Sequence, residues 1–156
     1  MSFRLIAALL CISAAITPAA DLPTKKFLNL ATIKKMVAAA EAEAERRNVQ
    51  VTICIVDENL NLLFLEKADG AALNTLQFAQ KKARHAAFYK SPSKNGADQV
   101  KRGNVEVLAF PEFFPNQGGL PIIVDGQNLG GIGVSGAPSE VDEAIGQVAL
   151  DTLKTS

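Results

Sequence analysis

The chain has 156 residues, with sixteen Lys and Arg against sixteen Asp and Glu, one histidine and two cysteines. Zero net charge without a dense basic block excludes the electrostatic footprint of a nucleic-acid binder. So few cysteines exclude a disulfide-framed scaffold, and with a single histidine they exclude an ordinary zinc site within one chain.

The opening "MSFRLIAALLCISAAITPAA" joins Arg4 to an apolar run over 5–16, closed by Thr17 and Pro18 and followed by Ala19 and Ala20. A bilayer span needs about 20 apolar residues, so this shorter run predicts a signal peptide cleaved near Ala19 or Ala20 and no stable membrane span. Bulky Leu10 before Cys11 argues against a lipid anchor. The expected organisation is therefore a signal peptide over 1–20 and one domain over 21–156, periplasmic or secreted. Cys54, inside the apolar "VTICIV", reads as core.

Asn29 is suited to cap a helix in which Leu30, Ile33, Val37, Ala40 and Ala44 recur at helical spacing until Arg46, Arg47 and Asn48. "VQVTICIV" and "LNLLFLE" predict an antiparallel hairpin turning at 57–59. After Asp69 and Gly70, the segment 73–89 carries Leu76, Ala79, Ala83 and Ala86, an alanine stripe that lets a helix approach a sheet closely. Ser91 and Pro92 break it, leaving room for a short helix over 93–101 closed by Gly103 and then the irregular "FPEFFPNQGG". "LPIIVDGQNLGGIGVSG" predicts a second hairpin with Asp125 and Gly126 at a tight primed turn. Ser139 reads as the cap of a last helix, with Glu140, Asp142 and Glu143 complementing its dipole and Val141, Ile145, Val148 and Ala149 facing inward. This order predicts an α+β layered domain.

"GIGVSG" fits the glycine fingerprint of a dinucleotide loop, but the twenty residues after Gly136 offer a helix and no second strand carrying an acid. On a strand, alternation would put Leu129, Gly131, Gly133 and Ser135 on one face and Gly130, Ile132, Val134 and Gly136 on the other. Repeated glycine implies that something approaches the backbone closely, whether a helix, a neighbouring subunit or a flat ligand.

Charge is unevenly spread. Seven basic residues and one acid, Asp98, lie over 81–102, whereas 106–151 holds seven acids and no Lys or Arg. The basic stretch is either a solvated helix face or a surface for an anion. Ser135 in "GVSG" lacks the nucleophile-elbow pattern, so no hydrolase triad is supported. Asp57 suits a turn, and equally an acid acting on a small organic substrate beside the glycine-lined backbone.

"GGLPIIVDGQNLGGIGVSGAPSEVDEAI" resembles the C-terminal half of the GlcG/HbpS haem-binding family, to which the C-terminal domain of PduO-type adenosyltransferases also belongs. "QKKARHAAFYKSPS" resembles its second-helix signature and "ADGA" the preceding turn. The resemblance covers essentially the whole mature chain. It implies a profilin-like fold, a mainly antiparallel sheet flanked by helices, in a homo-oligomer, an octamer or hexamer. It also implies binding of haem and, in some members, its degradation. The chain departs from the family at Glu58, Asn59 and Leu60, where a glycine-containing turn is usual, and at His85, where many relatives carry threonine.

With haem as the implied cofactor, His85 is the candidate metal ligand. Helical spacing sets Phe78 and Tyr89 beside it, and Lys82 and Arg84 are candidates to meet the anionic propionates. Gly118 and Gly119 are candidates for a close approach to the ligand. The same histidine among aromatics also reads as packing or interface, and Phe110, Phe113 and Phe114 as a subunit interface or a pocket wall. The leading expectation is an exported oligomeric haem-binding protein; the alternative is a small-molecule enzyme of a catabolic pathway acting on an organic acid or similar metabolite.

Overall fold

The computed structural model describes residues 21–154; the expected signal peptide over 1–20 lies outside the described residues. The elements run α1 Leu30–Arg46, β1 Thr52–Asp57, β2 Leu62–Lys67, α2 Thr75–Tyr89, α3 Ser93–Lys101, a short 3-10 turn Val105–Ala109, β3 Gly119–Val124, β4 Gln127–Ser135 and α4 Ser139–Asp151. The four strands form one antiparallel sheet in the order β2-β1-β4-β3. Helices cover both faces, giving the expected α+β fold.

The central strand β1 explains the division. Its residues Thr52 to Val56 are all buried, because alternate side chains serve opposite faces. Ile53 and Ile55 join Ile132, Val134, Ile122, Met36, Val37 and Ile145 in a large core beneath α1 and α4. Each such side chain, fully buried, contributes about 1.5–3 kcal/mol. Cys54 and Val56 face the other way, against Ala79, Ala83 and Ala87 of α2.

The glycine question is settled by α2. A Cβ at Gly133 would sit 2.0 Å from the Ala79 carbonyl oxygen, and one at Gly131 would sit 2.3 Å from that of Ala83. Alanine on the helix and glycine on the strand thus let two backbones touch. The alternation is interrupted at Gly130, which pairs with Asp57 at a φ of +138°; a Cβ there would lie 1.9 Å from the Val56 carbonyl oxygen. A register shift there returns Leu129 to the core under α1 and α4 rather than to the face of Gly131.

Local signals match in detail at several ends. Asn29 caps α1 by accepting from the Thr32 N–H at 2.8 Å, and Asp125 and Gly126 take the positive φ angles of a primed turn. In the first hairpin, Leu60 adopts the left-handed conformation itself, at φ +68°. The Asp57 carboxylate holds that turn by accepting from the Asn59 and Asn61 N–H groups at 2.9 and 2.8 Å. Two further expectations are corrected. Leu30 is exposed while Met36 is buried on α1, and Pro138, not Ser139, occupies the α4 cap position. Asp142 instead reaches back to accept from the Ala137 N–H at 2.9 Å.

Candidate functional site

Residues 110–117 lie as a strap across the C-terminal half of α2, where they enclose a recess of about 280 Å³. Its lining includes His85, Tyr89, Gly96, Gln99, Phe110 and Phe113. His85 stands at ring-centroid distances of 4.8 Å from Tyr89 and 5.1 Å from Phe113, and Tyr89 meets Phe113 edge-on at 5.8 Å. Gly96 lets α3 close the far wall: a Cβ there would be 3.0 Å from both His85 Cε1 and Phe113 Cζ.

The strap is fastened from below. Tyr89 Oη donates to the Pro111 carbonyl at 2.6 Å, and Ser93 Oγ donates to the Asn116 carbonyl at 2.6 Å. The Phe114 N–H donates to His85 Nδ1 at 2.9 Å. Arg84 grips Glu112 with two parallel hydrogen bonds, one of them from Nε to Oε2 at 2.8 Å, and gives Nη1 to the Leu60 carbonyl at 3.0 Å. Glu112 sits at φ +57°, a left-handed conformation that side chains other than glycine rarely adopt.

His85 is almost wholly buried. Burial pushes its pKa down to about 4, against an opposing pull from the backbone of Glu112. The ring is therefore neutral at physiological pH. Because Nδ1 accepts a hydrogen bond, a neutral ring carries its proton on Nε2. Metal-bound histidine normally has the reverse arrangement, in which the nitrogen away from the metal donates.

Lys82 does not share this site. Its ammonium is buried, donating to Asp142 Oδ2 at 2.8 Å and to the Val134 carbonyl at 2.9 Å. Burial pushes the Lys82 pKa down and the Asp142 pKa up, each opposed by the other's charge. A propionate cannot reach an ammonium so enclosed, so helical spacing from His85 was misleading here: a long side chain turned inward rather than outward. Gly118 and Gly119 serve the same buried layer. A Cβ at Gly119 would lie 2.3 Å from the Lys82 carbonyl oxygen, and one at Gly118 would lie 2.9 Å from Lys82 Nζ. The close approach expected at these glycines is made by α2.

Phe78 packs on Phe114 at 5.7 Å, beneath Lys81, whose ammonium lies 5.6 Å from the Phe114 ring. Thus His85 and Tyr89 come together, joined by Phe110 and Phe113, while Arg84 lies outside that lining and meets the strap at Glu112, and Phe78 stands on the strap's other side. Glu112, Ser93 and Gly96 carried no local signal, since each matters only through a segment distant in sequence. Asp57 is taken up by its turn: burial raises its pKa, but hydrogen bonds from Asn61 and Asn59 and the charge of Lys25 leave it lowered. Burial raises the Cys54 thiol to about 12, so it is no thiolate nucleophile. Among the described residues, no group of three or more His, Cys, Asp or Glu is placed to hold a metal ion, and no helix is long and apolar enough to cross a membrane.

Comparison with known proteins places this architecture. Protein GlcG of Escherichia coli is 33% identical over 112 residues, spanning 72% of this chain and 84% of GlcG. A double mutant of HbpS from Streptomyces reticuli superposes with a TM-score of 0.76 at 29% identity, covering 90% of this chain and 98% of that one. A PduOC–haem complex superposes with a TM-score of 0.75 at 27% identity, covering 81% and 94%. The family model described as haem degrading protein HbpS-like matches residues 28–151, and with the sheet order and the glycine-lined strand already in view, the chain belongs to that HbpS-like family.

Proposed function

We propose that the protein is an exported, homo-oligomeric haem-binding protein whose site is the recess beneath the strap. The observation that carries this reading is a buried, neutral imidazole walled by Tyr89, Phe110 and Phe113. Neutral imidazole is the form that binds iron, and aromatic rings suit a flat apolar macrocycle. A related fold in complex with haem supports the choice of ligand.

His85 would hold the iron and Arg84 a propionate, with Tyr89 and Phe113 against the macrocycle. Bound haem supplies a redox-active iron centre. About 280 Å³ falls below the ~300–1,000 Å³ of ordinary small-ligand pockets, so binding requires the strap to move. Ligation at Nε2 further requires the Phe114 N–H to release Nδ1, so that Nδ1 can carry the proton. Exposed Phe88, Val105, Leu108 and Phe110 supply apolar surface for assembly into an oligomer.

The test is a hemin titration of the chain from residue 21, followed in the Soret band, with His85→Ala in parallel. A saturable shift at stoichiometric hemin that is lost in the variant is the expected result. An equal shift in both proteins removes His85 as ligand, and no saturable shift in either removes haem.

A further inference from the structure

Arg84 is the one cation among the residues proposed for the haem site, and its fork is already filled by a carboxylate from within the chain. Nε and Nη2 both point to Glu112, in the bidentate geometry by which guanidinium recognises carboxylates generally. The cost of that arrangement is visible next to it: Glu112 is held at φ +57°, a conformation that persists only where surrounding contacts impose it. Two positions further on, the Phe114 N–H occupies His85 Nδ1. One short segment therefore occupies both the Arg84 fork beside the recess and the imidazole within it.

We propose that Glu112 is an internal stand-in for a ligand carboxylate at Arg84, and that the strap opens by exchange of one carboxylate for the other. An incoming carboxylate takes the Arg84 fork, Glu112 leaves with its strained backbone, and the amide of Phe114 withdraws from Nδ1. The exchange conserves charge at Arg84, so opening needs no unpaired cation. The ligand class is an apolar ring system carrying at least one carboxylate. This inference rests on the haem reading for the identity of the ligand and not for the latch itself.

The test measures hydrogen exchange at the Phe114 amide and hemin affinity in the chain from residue 21, comparing it with Glu112→Gln and Arg84→Met. Glu112→Ala, which keeps the strained backbone and removes the carboxylate, serves as a second release of the latch should the glutamine variant misfold. Without ligand, each variant is expected to speed exchange at Phe114 at least tenfold. Hemin affinity should rise several-fold in Glu112→Gln and not in Arg84→Met, which loses the receptor along with the latch. Unchanged exchange at Phe114 overturns the latch whatever hemin does. Faster exchange with hemin affinity unchanged or lowered in Glu112→Gln overturns the carboxylate exchange. Failure of the wild-type chain and of every variant to bind hemin removes the haem reading and the carboxylate exchange drawn from it, while the exchange rates still decide the latch.

Discussion

Lys82 of α2 and Asp142 of α4 meet at 2.8 Å with each side chain only 2% exposed, although the two helices cover opposite faces of the sheet. The contact ties both layers together at the C-terminal end of β4, where Lys82 also binds the Val134 carbonyl.

Removing one partner leaves the other charge buried alone. Lys82→Met is expected to destabilise the protein by about 3–5 kcal/mol, whereas Lys82→Met with Asp142→Leu should recover much of that loss. Urea unfolding of the single and double variants checks this. A double variant no better than the single would show that the ions do not act as a pair.

The packing of α2 on β4 predicts a sharper effect from a smaller change. Gly133→Ala sets a methyl group 2.0 Å from the Ala79 carbonyl oxygen, so helix and strand must separate. Overpacking of this kind costs about 1–3 kcal/mol or more. A thermal midpoint matching wild type would contradict the closeness described.

The neutral state of His85 makes stability depend on pH. The unfolded chain takes up this proton near pH 6.5 and the folded protein only near 4. Between those values the unfolded state binds more protons, so stability falls as pH is lowered from about 6.5 towards 4 and is untouched by this group above that window. The loss approaches roughly 3 kcal/mol at pH 4. Wild type should therefore lose stability relative to His85→Gln across that interval, and a pH-independent difference would show that His85 titrates alike in both states.

Asp57 yields a structural prediction where a catalytic one had been conceivable. Its carboxylate accepts from two backbone N–H groups and from the Asn61 side chain at 2.9 Å. Asp57→Ala should cost about 1–2 kcal/mol and increase amide exchange at Asn59 and Asn61. Unchanged exchange at both would detach the carboxylate from the turn.

Much of the fold was legible because the relevant physics is local. The helical spacing of Ile33, Val37, Ala40 and Ala44, the Asn29 cap and the Asp125–Gly126 turn each depend on a few neighbouring residues. The site was legible only in part. His85 and Tyr89 lie four residues apart on one helix, so their proximity could be read from spacing, whereas neighbouring Arg84 runs to Glu112 and Leu60. Lys82 lies on that helix too, but its inward course depends on Asp142, sixty residues away, and periodicity cannot supply that information. The Glu112 latch is likewise a meeting of distant segments. Leu129 was misplaced for a smaller reason: one positive φ at Gly130 shifted the strand's alternation.

The bare contact between α2 and β4 also assigns rigidity within the molecule. With no side chain longer than a methyl between them at Ala79, Ala83, Gly131 and Gly133, no rotamer exists whose change could let the helix slide or roll. The floor of the recess is therefore anvil-like, and whatever accommodates a ligand must be the roof. Substitutions along this seam are confined to the smallest residues, because any longer side chain would have to push helix and strand apart.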